Sequence, residues 1–352
     1  MGELEEGTGN LSGNINITGT TIDPQYEGTI NFNDAGFKVA KLNAPFVLNN
    51  EVLKLDNNGI YFNDFTVRDK KQNSFVVDGS IGTENMLDPT FDLNLSANDF
   101  QVLDSSKEDF DLVYGTAVFD AEATITGNLT LPDVKAKINV DKGTDVTYVL
   151  PPSEVAVESM DGVVTFVNRE NPDDILTQTE EESYTITGYN INAVLSISEE
   201  AAVNIVIDEE TGDNLRITGS GDLDFNMFPN GRTTLAGRYV INDGHYEMSL
   251  YNIVNRRFEL VKGSTISWAG DPLDAKLDFK ARYDVKTSAS ALMASQTSGT
   301  NISTQNEYRR RLPFYVYLNI DGEITEGLKE DFSNTSGTYF VAKDGDNTNP
   351  GT

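Results

Sequence analysis

The chain has no cysteine, a single histidine and few basic residues, and each of these shortages excludes a class of protein. Its 352 residues include 26 Lys and Arg against 56 Asp and Glu, so the formal net charge is −30. Without cysteine there is no disulfide framework, thiolate nucleophile or cysteine zinc site. The acidic net charge argues against nucleic-acid binding, because neutralising phosphates requires a basic surface.

Long apolar runs are missing as well. No stretch approaches the roughly 18 apolar residues that cross a bilayer as a helix, and no signal peptide is present. Because strand-like sequence begins abruptly at Met1-Gly2-Glu3, we expect a fragment whose membrane anchor or export signal lies upstream. Hydrophobic residues make up only 38% of the chain, which favours a thin, extended body over one with a large central core.

What the chain does contain is alternation of apolar and polar residues along most of its length. The clearest run is Phe91-Asp92-Leu93-Asn94-Leu95-Ser96, and a period of two predicts strands with one buried and one solvated face. Helical periodicity is nearly absent, so we expect more than half of the residues in strands. Turn signals separate the runs, and these are Asn57-Asn58-Gly59, Asp78-Gly79, Asp161-Gly162, Thr211-Gly212-Asp213, Asn230-Gly231, Asp243-Gly244 and Asp321-Gly322.

Two stretches interrupt this pattern. Residues 170–182 are polar and acidic and predict a loop, and residues 287–306 predict a long mobile insertion with a short helix at 289–295. A weak repeat is also visible, in which a strand ending in Gly is followed by a Pro-containing crossover and a returning strand. Its copies begin at Ile15, Ala123 and Leu215. Repeated strand units of this kind stack into an elongated body.

Charge divides the chain near residue 214. Residues 215–320 hold 13 Lys and Arg against 10 Asp and Glu, which leaves 13 against 46 for the rest of the chain. We therefore divide it into an acidic β-repeat segment, residues 1–214, and a second β segment, residues 215–352, which contains the insertion.

The second segment resembles a known family. Residues 235–246 read LAGRYVINDGHY, and residues 257–281 read RFELVKGSTISWAGDPLDAKLDFKA. These residues contain a Gly-Tyr strand pair, then Phe-x-Leu, x-x-Gly-x-Ile and Trp-x-Gly-x-Pro, and then an alternating strand. This order of motifs is similar to the C-terminal domain of TamB, a translocation and assembly module subunit of the AsmA-like superfamily. Residues 311–322 resemble the family's next strand, whereas residues 323–352 are more polar than its C-terminal tail. The motif residues expected at turns or close backbone approaches are Gly237, Gly244, Gly263, Gly270 and Pro272.

A sheet that is polar on one face and apolar on the other must bury its apolar face. We therefore expect an all-β fold in which a long sheet curls into an open trough with an apolar concave face. Acyl chains or the apolar side of an unfolded β-strand could lie in such a groove, and its open edge offers strand addition. The residues expected to line it are Phe91, Leu93, Leu95, Leu223, Phe225, Phe258, Leu260, Ile266, Trp268, Leu277, Phe279, Phe314, Val316 and Leu318.

The resemblance to TamB implies a periplasmic protein, anchored in the inner membrane upstream of this sequence, that works with an outer-membrane barrel of the TamA type. Its implied roles are outer-membrane protein assembly and phospholipid movement between membranes, and the choice between these two cargoes stays open. Neither an enzyme activity nor a cofactor is implied.

Candidate chemical sites are weak in this sequence. His245 has no nucleophile motif near it, and residues 208–213 lack the spaced ligands of a calcium loop, so we expect no catalytic or metal site. Arg309, Arg310 and Arg311 form the densest basic cluster. They are either a contact for anionic headgroups or an acidic partner, or a solvated loop edge.

Two other classes of protein stay open. An adhesive surface protein built of β-sandwich domains predicts closed cores in at least two globular units. A polysaccharide-acting β-helix enzyme predicts carboxylates and aromatic platforms along a cleft, although Trp268 is the only tryptophan.

Overall fold

The computed structural model describes residues 4–22, 24–150, 187–250, 254–288, 290, 299, 301–303, 306, 309–323 and 338–342. Nineteen strands belong to one sheet and make up 73% of the structure, which confirms the predicted all-β class. The strands are β1 (Leu4–Gly19), β2 (Pro24–Val39), β3 (Ala44–Leu48), β4 (Glu51–Asp56), β5 (Gly59–Arg68), β6 (Ser74–Gly82), β7 (Thr90–Ser105), β8 (Val113–Asn128), β9 (Pro132–Val140), β10 (Asp145–Val149), β11 (Asn190–Ile197), β12 (Ala202–Asp208), β13 (Asp213–Met227), β14 (Thr233–Leu250), β15 (Val254–Leu260), β16 (Thr265–Gly270), β17 (Ala275–Ser288), β18 (Arg311–Glu323) and β19 (Thr338–Ala342).

Helical structure is scarce in these ranges. A 3₁₀ turn, Ala40–Leu42, connects β2 to β3, and Ile302, Ser303 and Asn306 have a helical conformation. Among the residues that the structure describes, no helix is long and apolar enough to cross a membrane.

The sheet is an antiparallel meander with one parallel junction. Strands β3 and β4 lie end to end between β2 and β5, and β15 and β16 lie end to end between β14 and β17. In the middle of the sheet, β9 pairs parallel with β11, and β10 pairs parallel with β12. A parallel pair needs a connection that returns along the strand. The junction therefore separates two antiparallel halves, β1–β10 and β11–β19.

The strand ends form two rims. We call the first rim the side that carries the β2–β3, β5–β6, β7–β8, β12–β13, β14–β15 and β17–β18 connections. The second rim carries the β1–β2, β4–β5, β6–β7, β8–β9, β13–β14 and β16–β17 connections.

The glycine turn signals had mixed outcomes. Turns lie at Asn57-Asn58, at Thr211-Gly212 and at Asn230-Gly231, as predicted. Asp161-Gly162 lies outside the described residues. The turns predicted at Asp78-Gly79, Asp243-Gly244 and Asp321-Gly322 were wrong, because these pairs lie inside β6, β14 and β18.

Two of these glycines allow close approach of neighbouring strands instead of chain reversal. A Cβ on Gly79 would lie 2.0 Å from the carbonyl oxygen of Asp92, and a Cβ on Gly244 would lie 2.4 Å from that of Arg216. No side chain fits at such distances, so glycine is needed within the strand itself.

The predicted interruptions lie mostly outside the described residues. This holds for the acidic loop at 170–182 and, apart from Ser290, for the helix expected at 289–295. The insertion was expected to begin at residue 287, but β17 continues further. Thr287 pairs with Leu312 and Ser288 pairs with Arg311. The strand ends later because its partner β18 supplies a full ladder of hydrogen bonds there.

The first two copies of the repeat form equivalent hairpins. Gly19 pairs with Pro24 at the tip of the first hairpin, and Gly127 pairs with Pro132 at the tip of the second. Proline fits the first position of a returning strand because it has no N–H to donate. The third copy differs, since Gly219 lies within β13 opposite Ile241.

Local irregularities bend the sheet. Asp64 and Asp99 take left-handed conformations, with φ of 50° and 48°, at register shifts in β5 and β7. The N–H of Asp64 donates to Oδ1 of Asp78, and that of Asp99 donates to Oδ1 of Asp120, both at 2.7 Å. Each is a β-bulge held by a carboxylate of the neighbouring strand, and bulges increase local bending and twist.

Candidate apolar groove

Strand register brings apolar side chains from successive strands to one face, because directly paired residues point the same way. One row crosses the parallel junction and runs through Val77, Leu95, Ala123, Ala136, Ala193, Phe225 and Leu235. The alternate residues Asn94 and Thr124 point to the opposite face. One face of the sheet is therefore apolar from β6 to β14.

The same face continues into the C-terminal strands. Tyr239 pairs with Ile266, and Ile266 pairs with Leu277. Further pairs on this face are Tyr246–Phe258, Leu260–Ala281, Leu318–Ala281, Val316–Tyr283 and Phe314–Val285. By this register, all of the residues predicted to line the groove point to one face, which we call the apolar face.

Burial of these residues is graded. Seven are buried, namely Leu93, Leu223, Phe258, Leu260, Ile266, Phe279 and Phe314. The others are half-buried, namely Phe91, Leu95, Phe225, Trp268, Leu277, Val316 and Leu318. Every described strand belongs to the same sheet, so no second layer covers this face within the described ranges. Curling of the sheet over its own side chains accounts for the burial.

The sheet curls onto itself at the first rim of the N-terminal half. The rings of Phe46 in β3 and Phe100 in β7 stack with centroids 5.5 Å apart and an interplanar angle of 9°, although β5 and β6 separate these strands in the sheet. The side-chain amide of Asn43 donates to the Asp104 carbonyl at 3.2 Å and to Asp109 Oδ2 at 3.0 Å. Here the apolar face closes into a small core.

In the C-terminal half the apolar face has a second cluster. It centres on Ile241, which is fully buried, and includes Tyr239, Phe279 and Ala281. Tyr239 packs over the backbone of Gly219, and burial raises the pKa of its hydroxyl to about 12. This cluster is built from strands that follow one another across the sheet, and its half-buried border stays accessible.

The opposite face is polar and carries most of the ion pairs. Arg216 in β13 donates from Nη2 to Asp145 Oδ2 at 2.9 Å and from Nη1 to Asn204 Oδ1 at 2.7 Å. This network ties β10, β12 and β13 together beside the parallel junction. Two shallow depressions of about 450 and 1020 Å³ also lie on this face, lined mainly by polar side chains. They are separate from the apolar face.

Three carboxylates meet near the junction. Oxygen atoms of Asp99, Asp120 and Asp141 lie within 4.8 Å of one another. Burial, together with the charges of Asp120 and Asp99, raises the pKa of Asp141. Exposed acidic groups often cluster without binding an ion, so this arrangement by itself does not make a metal site.

The weaker candidates have ordinary surroundings. Nε2 of His245 lies 3.7 Å from Oε1 of Glu247 on the polar face. Oδ1 of Asp208 accepts the backbone N–H of Glu210 at 2.8 Å and that of Thr211 at 3.3 Å, which lowers the Asp208 pKa. These bonds form the tip of an exposed hairpin.

The basic cluster lies at the first rim. Arg309 and Arg310 are exposed in the β17–β18 connection, and Arg311 is exposed at the start of β18. Two other connections at this rim are joined by an ion pair. Nζ of Lys107, between β7 and β8, lies 2.5 Å from Oε1 of Glu209, between β12 and β13.

The motif glycines have different roles. Gly237 and Gly244 lie inside β14 rather than in turns, and a Cβ on Gly237 would lie 2.4 Å from the Asp222 carbonyl oxygen. Gly263 lies in a turn with φ of 94°. Gly270 ends β16, and in the turn that follows, the carbonyl of Pro272 accepts the indole N–H of Trp268 at 3.1 Å.

A repeated strand break was missed from the sequence. Asp-Lys-Gly-Thr at residues 141–144 separates β9 from β10, and Val-Lys-Gly-Ser at residues 261–264 separates β15 from β16. In both, the glycine has positive φ and the final hydroxyl residue is buried. The Thr144 hydroxyl accepts the Val118 N–H at 3.1 Å, and the Ser264 hydroxyl accepts the Lys280 N–H at 3.2 Å. The strand break could have been predicted from the sequence, because Lys-Gly-Ser/Thr recurs before an alternating strand.

Comparison with known proteins agrees with the resemblance found in the sequence. A family model described as the TamB C-terminal domain matches residues 63–330, which extends the similarity from β5 into the residues after β18. A search of curated proteins gave no significant match. Because the family model covers well over half of the chain, the protein belongs to the TamB C-terminal domain family.

Proposed function

We propose that this protein provides an apolar groove along which phospholipid acyl chains, or the apolar sides of unfolded β-strands, pass through the cell envelope. The observation that carries the proposal is the apolar face, which extends from β6 to β18. At the family level, TamB proteins are envelope proteins of outer-membrane protein assembly and lipid transfer, and the family is not one of enzymes.

The grading of burial leaves room for a cargo on the apolar face. Residues deep in the curl, such as Phe279, are 6% exposed, whereas Leu277 and Leu318 on the same face are half-buried. Half-buried apolar side chains give a cargo molecule surface to cover, and covering apolar area is favourable by about 25 cal/mol per Å². The grading therefore suits a groove that accepts and releases apolar chains.

Membership of the family supports the cellular setting that we propose. In this proposal the chain lies in the periplasm, is tethered to the inner membrane through sequence upstream, and delivers to an outer-membrane barrel of the TamA type. The acidic segment, residues 1–214, and the more basic segment, residues 215–352, would then be the two electrostatic units of the groove. A strongly acidic exterior also disfavours adhesion to anionic surfaces.

A paired substitution tests the groove. Leu318 points to the apolar face beside Ala281, and its neighbour Asn319 pairs with Lys280 on the polar face. Leu318→Arg should abolish lipid transfer or barrel assembly in cells while the protein stays folded, because an arginine at a half-buried site reaches water along its own stem. Asn319→Arg should leave both functions intact.

The two variants are compared by circular dichroism and by the cellular assay together. Equal activity of two folded variants would contradict the groove. A photoreactive side chain at position 318 then identifies the cargo, because cross-linked phospholipid and cross-linked protein are separable by mass spectrometry. The same side chain at position 319 is the control and should capture neither.

The alternative functions fit the fold less well. An adhesive β-sandwich protein calls for separate globular units with two packed sheets each, whereas the described strands join in one sheet. A polysaccharide-acting β-helix enzyme calls for carboxylates along an aromatic cleft. The carboxylates of Asp99, Asp120 and Asp141 meet without an aromatic platform of tryptophan, since Trp268 lies on the apolar face.

A further inference from the structure

Arg256 is a cation on an otherwise apolar surface. It pairs with Met248, so its side chain points to the apolar face near the first rim. Along the described parts of β14 to β18, the other side chains on that face carry no charge. Covering a charged side chain at this position costs desolvation free energy, which an apolar residue would avoid. A role in binding would explain why the position holds an arginine.

The surroundings hold Arg256 at the boundary between apolar surface and water. Its guanidinium lies 5.4 Å from the centroid of the Tyr283 ring, and the Tyr283 ring lies 5.5 Å from that of Phe258. Phe258 is buried, whereas Arg256 is exposed. An aromatic floor with a cation at its edge is an arrangement that suits an amphiphile.

No carboxylate in the described part of the chain forms an ion pair with Arg256 at this end of the rim, and Asp213, at the start of β13, accepts the backbone N–H of Ser249 at 2.6 Å. Arg256, Arg310 and Arg311 form no ion pair with described residues, whereas Lys70 and Lys107 at the same rim pair with Asp104 and Glu209. Arg311 starts β18 opposite Ser288, with its side chain on the polar face and its backbone about 10 Å beyond Phe314 along the strand. The rim beside β15, β17 and β18 is therefore a basic border next to apolar surface.

We infer that this border selects anionic phospholipids, with the acyl chains over the half-buried side chains of Tyr283 and Val316 and the headgroup phosphate beside Arg256. A phospholipid carries its phosphate next to its acyl chains, so the phosphate must lie where the apolar face meets water. A net negative headgroup gains attraction from an uncompensated cation, whereas a zwitterionic one brings a positive group that opposes it. The inference rests on the proposed function and adds a preference for headgroup charge.

The test compares capture of two lipids by the full chain. Vesicles of phosphatidylcholine contain a trace of photoreactive phosphatidylglycerol or photoreactive phosphatidylcholine, and cross-linked protein is counted after illumination. Wild type should capture phosphatidylglycerol about threefold better, a ratio typical of one exposed charge pair. Arg256→Gln should remove this preference, and Arg256→Lys should retain most of it.

Arg232 provides a matched control. Its guanidinium lies 4.6 Å from the centroid of Phe228, but it belongs to the β13–β14 turn at the second rim. Arg232→Gln should therefore leave the preference unchanged. Because both glutamine variants remove an exposed cation over an aromatic ring, a difference between them reports position and not net charge.

The possible results of this capture experiment separate the headgroup preference from the groove itself. Equal capture of both lipids by wild type, or an unchanged preference in Arg256→Gln, would overturn the selection of headgroup charge while leaving the groove intact. Capture of neither lipid would overturn this inference and the lipid form of the proposed function together. Capture of an added apolar β-strand peptide in place of lipid would identify protein as the cargo and also overturn the inference.

Discussion

The two halves of the sheet bury the same kind of face in different ways. In β1–β10, strands that are not neighbours come together, and Phe46 stacks on Phe100 across the two intervening strands. In β11–β19, the cluster around Ile241 and Phe279 is made by strands that follow one another. The first half therefore closes a core between distant strands at its rim, whereas the second buries its cluster among neighbouring strands and keeps a half-buried border.

The largest expected effect comes from emptying the closed core. Phe100 is 4% exposed and contacts the rings of Phe46, Phe75 and Phe119 at centroid distances of 5.5–6.1 Å. Phe100→Ala should lower the free energy of unfolding by about 3–5 kcal/mol. Urea denaturation followed by tyrosine and tryptophan fluorescence measures this loss.

Phe279→Ala is the matched change in the second half. The ring is 6% exposed, yet neighbouring half-buried side chains can move into the space, so a loss at the low end of the usual range, about 3 kcal/mol, is expected. Equal losses for the two phenylalanines would break the comparison, because both halves would then behave as closed cores.

A smaller effect is expected from the polar support of the closed core. Asp69 is 1% exposed, and its carboxylate accepts the N–H groups of Lys71, Asn73 and Gln101 at 2.8–2.9 Å. Asp69→Ala leaves these donors without an acceptor and should cost about 2–3 kcal/mol. Thermal and urea unfolding of the purified variant measure the loss.

The exposed hairpin at Asp208 is the control for Asp69. Its carboxylate also accepts two backbone N–H groups, but water replaces it readily, so Asp208→Ala should leave stability nearly unchanged. If the two alanine variants lost similar stability, burial of Asp69 would not be what makes its hydrogen bonds matter.

Local pattern in the sequence predicted a large part of this fold. The alternation of Phe91, Leu93 and Leu95 assigned those side chains to one face, and register extends that face across the sheet. The family motif was equally local, since it lies in one run from β14 to β17.

Long-range features escaped prediction for a physical reason. Nothing in the runs of β3 and β7 indicates that Phe46 meets Phe100, because that contact depends on accumulated curvature. The parallel pairing of β9 with β11 is equally non-local. Asp78-Gly79 was wrongly predicted as a turn. The glycine instead allows the backbone of Asp92 in the next strand to come close, and this contact depends on strand register, which the local sequence does not show.

A feature shared by both halves gives a third, smaller effect. Gly143 and Gly263 occupy equivalent positions in the two strand breaks, with φ of 95° and 94°, and a Cβ on either glycine would meet open space. Gly143→Ala and Gly263→Ala should each cost about 1 kcal/mol through backbone strain alone. Differential scanning calorimetry of the two variants measures the cost in each half.

Gly270→Ala is the control for these glycines. A Cβ there would also meet open space, but its φ is not in the left-handed region, so stability should be nearly unchanged. Different losses of stability at Gly143 and Gly263 would mean that the two strand breaks are not structurally equivalent. That result would add a further difference between the halves.

The smallest effects are expected at the junction between the halves, where two nearby carboxylates have opposite pKa shifts. Burial and the charges of Asp120 and Asp99 raise the pKa of Asp141. The hydrogen bond from Arg216, supported by Asn204, lowers the pKa of Asp145. The contribution of Asp141 to stability is therefore greatest below its unfolded pKa and is lost as pH rises through its folded pKa. That of Asp145 is present above its unfolded pKa and is lost as pH falls through its folded value.

These signs predict opposite results from two similar substitutions. At neutral pH, Asp141→Asn should raise the free energy of unfolding, because it removes repulsion from the carboxylate cluster. Asp145→Asn should lower it, because it weakens the link from β10 to Arg216 in β13. Both groups are largely solvated, so each change should stay below about 1 kcal/mol. Urea unfolding at neutral pH and at about pH 3 should show both differences shrinking in acid, where carboxylates become protonated. The geometry indicates that the Arg216 network stabilises the junction and that the carboxylate cluster destabilises it. Changes of the same sign at neutral pH would contradict this.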